Sequence, residues 1–332
     1  MTADTDVLAR SVRAPILKTE RPLLVVIVGP TAVGKTSIAI QLAQRLGCEI
    51  VSADSRQVYR NMAIGTAQPS DEELRLVTHH FIACKDPNEL YSAGQFEQDA
   101  NQWLNAWFEK HRTAIMCGGS GLYVKAVLEG LDDIPSDLGV RNALNERLEQ
   151  EGLATLVKEL QSLDPKIVDV IDLNNPQRVI RALEVCLASK KPYSSFLANQ
   201  MASRPFDTWI IGLHRNREKL NDRINQRVES MIQDGLLKEV KSLWHLKGEN
   251  ALQTVGYKEW GSYFDNECTL EEVQSEIQLR TRQFAKRQMT WFKKMNGINW
   301  FDAEQVDHIH KELERQCVIR GWTLPEESRI SE

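Results

Sequence analysis

Six consecutive aliphatic residues, Leu23 to Val28, begin the ordered pattern of the chain. An unbroken run of that kind fits a parallel strand buried on both faces; a solvated face would place polar residues at alternate positions. Ser37 to Leu46 repeats apolar residues at helical spacing and stops at Gly47. Glu49 to Asp54 predicts a second short strand ending in an acid, and His79 to Ala83 a further one. Ser92 suits the N-cap of a helix reaching Phe108, on which Phe96, Ala100, Trp103 and Trp107 share a core-facing stripe. Thr113 to Cys117 is apolar again and runs into Gly118-Gly-Ser-Gly121, with a helix to about Leu128.

From Leu138 to about Phe196 the pattern is wholly helical, with Leu144, Leu148, Leu153, Leu156, Leu160 and Leu163 before Asp164-Pro165 and a helix from Pro176 to Leu187. Strand character returns at Thr208 to His214. Arg217 to Leu243 reads as one long helix that points Arg223 and Arg227 the same way, and Gln278 to Met295 as another. Ile298 to Phe301 predicts a last edge strand and His308 to Cys317 a closing helix. Strands alternating with helices predict an α/β fold: a parallel-sheet core over 22–131 and 205–316, interrupted by an all-helical insertion at 132–204. The first 21 residues read as a disordered lead-in without an apolar signal core, and 317–332 as a tail.

The first strand and helix flank Gly29-Pro-Thr-Ala-Val-Gly-Lys35-Thr36, which completes the strand, Gly-x-x-x-x-Gly-Lys-Thr, helix context of a phosphate-binding loop. Glycines let backbone N–H groups and the helix N-terminus surround an anion; Lys35 adds a cation and the Thr36 hydroxyl a ligand for Mg²⁺. Ligands of an open parallel sheet sit outside the C-terminal ends of its strands, so Asp54 shares a rim with this loop. A phosphoryl-transfer enzyme usually ends an equivalent strand with a Mg²⁺-binding acid, whereas Cys117 runs into glycines and Ser120. Diphosphate or triphosphate is implied; its bearer is not.

The net charge of −5 leaves any nucleic-acid partner to a local basic patch. One candidate exists: Arg280, Arg282, Lys286, Arg287, Lys293 and Lys294, with no acid among them, which is either a solvated face or a phosphate-backbone contact. Six scattered cysteines and an adjacent His79-His80 pair give no zinc spacing or disulfide framework and point to reduced thiols in the cytoplasm. No stretch approaches a membrane-spanning length.

Taken together these residues resemble the tRNA dimethylallyltransferase (tRNA isopentenyltransferase) family. The resemblance rests on Gly29 to Thr36, Ser52-Ala-Asp-Ser-Arg-Gln-Val-Tyr59, Ile64-Gly-Thr-Ala-Gln-Pro69, Gly118 to Tyr123, Asn175 to Glu184, Asp222 to Val228, Val255-Gly-Tyr-Lys258 and Lys286-Arg-Gln-Met-Thr-Trp291. It spans about residues 22 to 302. It implies a P-loop nucleotide-kinase-like core, and transfer of a dimethylallyl group from dimethylallyl diphosphate to N6 of the adenosine 3′ of the anticodon, in tRNAs reading codons that begin with U. By the same resemblance Asp54 is the general base. Ser120, where the family commonly has Thr, lines the channel, and Arg227 stabilises the leaving group. Gly29, Thr31, Ala32, Val33, Gly34, Lys35, Thr36 and Arg227 hold the diphosphate, with Mg²⁺ on Thr36. Contacts to tRNA are implied for Asp54, Ser55, Arg56, Gln57, Ser120, Arg141, Gln177, Arg178, Arg181, Gln253, Gly256, Tyr257, Lys258, Lys286, Arg287, Gln288, Trp291 and Lys293. The insertion would grip the anticodon stem-loop, and a cytoplasmic, monomeric enzyme is implied; with no C-terminal Cys₂His₂ finger, it resembles the bacterial type or an organellar one more than other eukaryotic members. Alternatives are a prenyltransferase acting on free adenylates, a P-loop small-molecule kinase or other nucleoside-triphosphatase, and a non-catalytic RNA-binding protein.

Overall fold

The computed structural model describes residues 21–132, 134–197 and 202–323; the expected lead-in lies outside them apart from Arg21. The chain forms two compact units, one from the residues up to Val127 together with those from Arg204 onward, the other Leu128–Ser203.

The larger unit is built on a parallel sheet of β1 (Leu23–Val28), β2 (Ile50–Ser52), β3 (His79–His80), β4 (Thr113–Gly118), β5 (Asp207–His214) and β6 (Ile298–Asp302), in the order β3-β2-β4-β1-β5-β6. All six residues of β1 have no exposed surface, as its central position between β4 and β5 demands. Each such aliphatic side chain contributes about 1.5–3 kcal/mol by leaving water. The register pairs Val28 with Gly118 on one side and Gly212 on the other, so the loops after β1 and β4 leave the sheet at one level. Ser52 pairs with Cys117, which puts the loop after β2 beside them.

Helices α1 (Lys35–Leu46), α2 (Asp71–Leu76), α3 (Ala93–Phe108) and α4 (Gly121–Glu129) follow in the first half. The buried stripe of α3 is Phe96, Ala100 and Leu104. Trp103 and Trp107, expected on that stripe, lie half-buried at its margin and stack on each other. The expected strand 79–83 is only two residues long because Phe81 and Ala83 take positive φ values.

The smaller unit packs α5 (Leu138–Glu151), α6 (Leu153–Leu163) and α7 (Pro176–Ser189) around Leu144, Leu156, Leu160, Val179, Ile180 and Leu183. Its core also holds the fully buried carboxylate of Glu184. Arg141 binds it through two nitrogens (2.9 and 2.6 Å), Arg181 at 3.1 Å, and the Asp137 N–H donates to it at 2.9 Å. A charge removed from water is tolerated when it is paired and hydrogen-bonded in this way. Arg141 and Arg181 both bind this carboxylate while their side chains stay 32% and 29% exposed, and Gln177 and Arg178 are exposed at the start of α7.

The larger unit resumes with β5, then α8 (Arg217–Gln233), α9 (Leu236–Leu243), α10 (Gly261–Phe264), α11 (Leu270–Phe292), β6 and α12 (Val306–Arg320). The single helix expected over 217–243 is two, because Gly235 adopts φ 101°, outside the helical region, between Gln233 and Leu236. Helix α11 begins earlier than the expected Gln278, behind a capping box of Thr269 and Glu272. Its buried line is Val273, Ile277, Ala285, Gln288 and Phe292, while Phe284 and Trp291 are over a third exposed. The tail expected from 317 starts later, since Cys317 is buried inside α12 and Trp322 packs on the same core. All six cysteines carry free thiols. Among the described residues no helix is long and apolar enough to cross a membrane.

Candidate active site

Where β1, β2 and β4 end, the larger unit encloses a cavity of about 700 Å³. Its floor is the loop 29–36. Gly34 takes φ 112°, a conformation costly to any residue with a Cβ, and delivers the chain into α1 without a side-chain cap. The N–H groups of the first helical turn are thus available to an anion in the cavity. The other polar groups of the loop are held both from within it and by arginines that follow β5 in the chain. Lys35 Nζ donates to the carbonyls of Gly29 (3.1 Å) and Pro30 (2.8 Å). Arg223 Nε donates to the Ala32 carbonyl at 2.9 Å, Arg227 to the Thr31 hydroxyl at 3.2 Å, and Arg215 to the Val33 carbonyl at 3.4 Å.

Burial pushes Lys35 down to about 8, with Arg227 adding to the depression while Cys117 and Asp54 oppose it. Arg227 is also lowered, chiefly by burial, and Asp54 partly restores it. Two cations held at such a cost mark a pocket shaped for an anion. The neighbouring Cys117 thiol is raised to about 12 by burial, so it stays protonated.

Asp54 lines the same cavity as this loop, whose walls include residues of α8 and α11. Its Oδ1 accepts from the N–H groups of Arg56 (2.9 Å) and Gln57 (3.3 Å), an Asx turn that fixes the direction of the carboxylate. Ser120 reinforces it: its hydroxyl accepts from Ser55 N–H at 2.9 Å and donates to the Ser55 hydroxyl at 3.1 Å.

Thr31, Ala32, Gly34, Lys35, Thr36, Asp54, Ser55, Arg56, Gln57, Ser120, Arg227, Gln253, Gly256, Lys258, Arg287 and Gln288 all line this one cavity. Gly29 and Val33 lie behind it; Val33 is fully buried and Gly29 packs against Leu213. Lys286, Trp291 and Lys293 are exposed at the C-terminal end of α11. Arg141, Gln177, Arg178 and Arg181 belong to the smaller unit. Tyr257, expected at an RNA-facing surface, is instead fully buried: its ring lies against Gly65 and its hydroxyl donates to Glu239 at 2.6 Å.

The IPP transferase family model matches residues 57–295. A curated tRNA dimethylallyltransferase of Christiangramia forsetii is 50% identical over 283 residues, covering 85% of this chain and 94% of that one. The chain belongs to the IPP transferase family. Members of known structure include the tRNA isopentenylpyrophosphate transferase of Bacillus halodurans, 37% identical with a TM-score of 0.67, covering 91% of this chain and 98% of that one. A eukaryotic dimethylallyltransferase acting on tRNA aligns with a TM-score of 0.75 at 26% identity, over 92% of this chain and 81% of its own.

Two residues of this IPP transferase carried no motif signal. Arg215 supports the loop only because β5 lies beside β1. Glu239 accepts from Ile64 N–H (2.8 Å), Gly65 N–H (2.9 Å) and Tyr257, tying the cavity segment 64–69 to the sequence 255–258. Removing the acceptor strands three donors, two of them backbone N–H groups. Glu239→Ala is expected to lose about 3 kcal/mol of stability and Tyr257→Phe about 1 kcal/mol. A urea midpoint for Glu239→Ala equal to that of the parent would contradict this account.

Proposed function

We propose that the chain transfers the dimethylallyl group of dimethylallyl diphosphate to the exocyclic N6 of the adenosine 3′ of the anticodon in tRNA. The supporting observation is that one cavity holds the phosphate loop, Arg227 and Ser120 together with the carboxylate of Asp54, in a chain whose curated relatives are named tRNA dimethylallyltransferase.

In this reading N6 attacks C1 of the allyl group, the C1–O bond breaks, and diphosphate leaves. Asp54 accepts the proton that N6 sheds, and its Asx turn keeps the carboxylate aimed while Ser120 steadies the loop behind it. Lys35, Arg227 and the first-turn N–H groups of α1 meet the charge that gathers on the leaving oxygens. Thr36 lines the cavity, and its hydroxyl is a hard oxygen donor of the kind Mg²⁺ takes beside substrate phosphates. The diphosphate oxygens and the Thr36 hydroxyl would hold it, and bound there it would neutralise part of the developing charge. Arg287 at the cavity wall and Lys286 and Lys293 outside it supply cations for RNA phosphates.

The test is to incubate the protein with Mg²⁺, labelled dimethylallyl diphosphate and either unmodified tRNA or AMP. Label in tRNA is the expected result. Label confined to AMP would assign a free-adenylate prenyltransferase, and ATP hydrolysis without label in either would assign a nucleoside-triphosphatase.

A further inference from the structure

The resemblance grouped Gln288 with the RNA-facing residues of α11. Its geometry points inward. The residue is 7% exposed and its side chain makes two hydrogen bonds: Oε1 accepts from Thr31 N–H at 2.8 Å, and Nε2 donates to the Gly119 carbonyl at 2.9 Å. Turning the amide over would set oxygen against carbonyl and N–H against N–H, so the partners fix its orientation. One side chain thus joins the phosphate loop after β1, the glycine turn after β4, and α11.

The glycine turn is cut to admit it. A Cβ on Gly119 would lie 2.3 Å from Gln288 Nε2, so no side chain at 119 is compatible with the amide where it sits. Thr31 is gripped twice, its N–H by Gln288 and its hydroxyl by Arg227. The N–H groups of the following first helical turn are left to an anion, and their direction depends on where Thr31 is held.

We propose that Gln288 is a positioning residue for the leaving-group site: it sets the phosphate loop in its diphosphate-accepting conformation from the end of β4 and does not act as an RNA contact. This deepens the proposed function and rests on its assignment of the loop to a diphosphate.

Gln288→Met keeps the volume and removes both hydrogen bonds. Gly119→Ala leaves Gln288 in place chemically but drives its amide out of the turn. Calorimetry with inorganic diphosphate and Mg²⁺ reads the loop, and binding of an anticodon stem-loop RNA reads the outer face. Each variant is expected to bind diphosphate about tenfold more weakly, the equivalent of roughly 1.4 kcal/mol, with RNA affinity unchanged. Because both act through one contact, the double variant should be no worse than either alone. Diphosphate affinity at the parental level in Gln288→Met, or a loss confined to RNA binding, overturns the proposal. So does a double variant whose losses simply add. The probe is independent of prenyl transfer: a parent protein that binds diphosphate but labels no tRNA would defeat the functional reading and leave this test intact.

Discussion

Asp54→Asn is expected to lower kcat for prenyl transfer by about 10²- to 10⁴-fold, the usual worth of a positioned general base. The asparagine oxygen can still accept from Arg56 and Gln57 N–H, so the turn that shapes the cavity wall survives. Loss of the negative charge also removes a group that stabilises the charged form of Arg227 and Lys35, and leaves those cations without a competitor to an incoming diphosphate. Diphosphate affinity should therefore hold or tighten while turnover collapses. Asp54→Ala adds a structural loss of about 0.5–1.5 kcal/mol for each loop hydrogen bond removed. Single-turnover kinetics with a urea melt separate the two effects. Near-parental turnover in Asp54→Asn would dismiss the carboxylate as base and leave it only its turn.

Lys35→Met is expected to reduce kcat by about 10²- to 10³-fold, as removal of one preorganised donor to developing charge does elsewhere. The pH dependence carries more information. Burial holds Lys35 at about 8 without ligand, so the side chain is charged below that pH and neutral above it. An anion bound beside it favours the charged form, and diphosphate binding above pH 8 must therefore take up a proton. Affinity should fall as pH rises through 8 and toward 10, by up to about tenfold per unit. The Lys35→Met variant should lack that limb, so the ratio of the two proteins' affinities isolates Lys35 from ionisation of the ligand. A ratio constant from pH 7 to 10 would show that Lys35 is not the titrating group.

The local code was strongest around β1. Leu23 to Val28 fits a strand with both faces covered, and the glycines and Lys35 after it carry their chemistry in their spacing. The edge strand at 298 and the helical character of 138–196 were also readable, because burial imposes a period that neighbouring residues share. Elsewhere a local signal was present and outvoted. Gly235 stood inside a run whose apolar period continued across it, and Thr269 with Glu272 announced α11 well before the stretch where its basic residues drew notice.

What the chain by itself determined is therefore the identity of the elements and the chemistry of its glycine-rich loop, since both depend on residues within a few positions of one another. Tertiary structure alone decided which way Tyr257 and Gln288 face. Tyr257 turns inward because Glu239 and the bare Cα of Gly65 receive it. Gln288 turns inward to a partner 257 residues away, at Thr31. Both side chains are polar, and polarity at a helix or loop surface is compatible with water, RNA or a buried partner. Only the order of the strands, by bringing the ends of β1, β2 and β4 to one level beneath α11, selects among them.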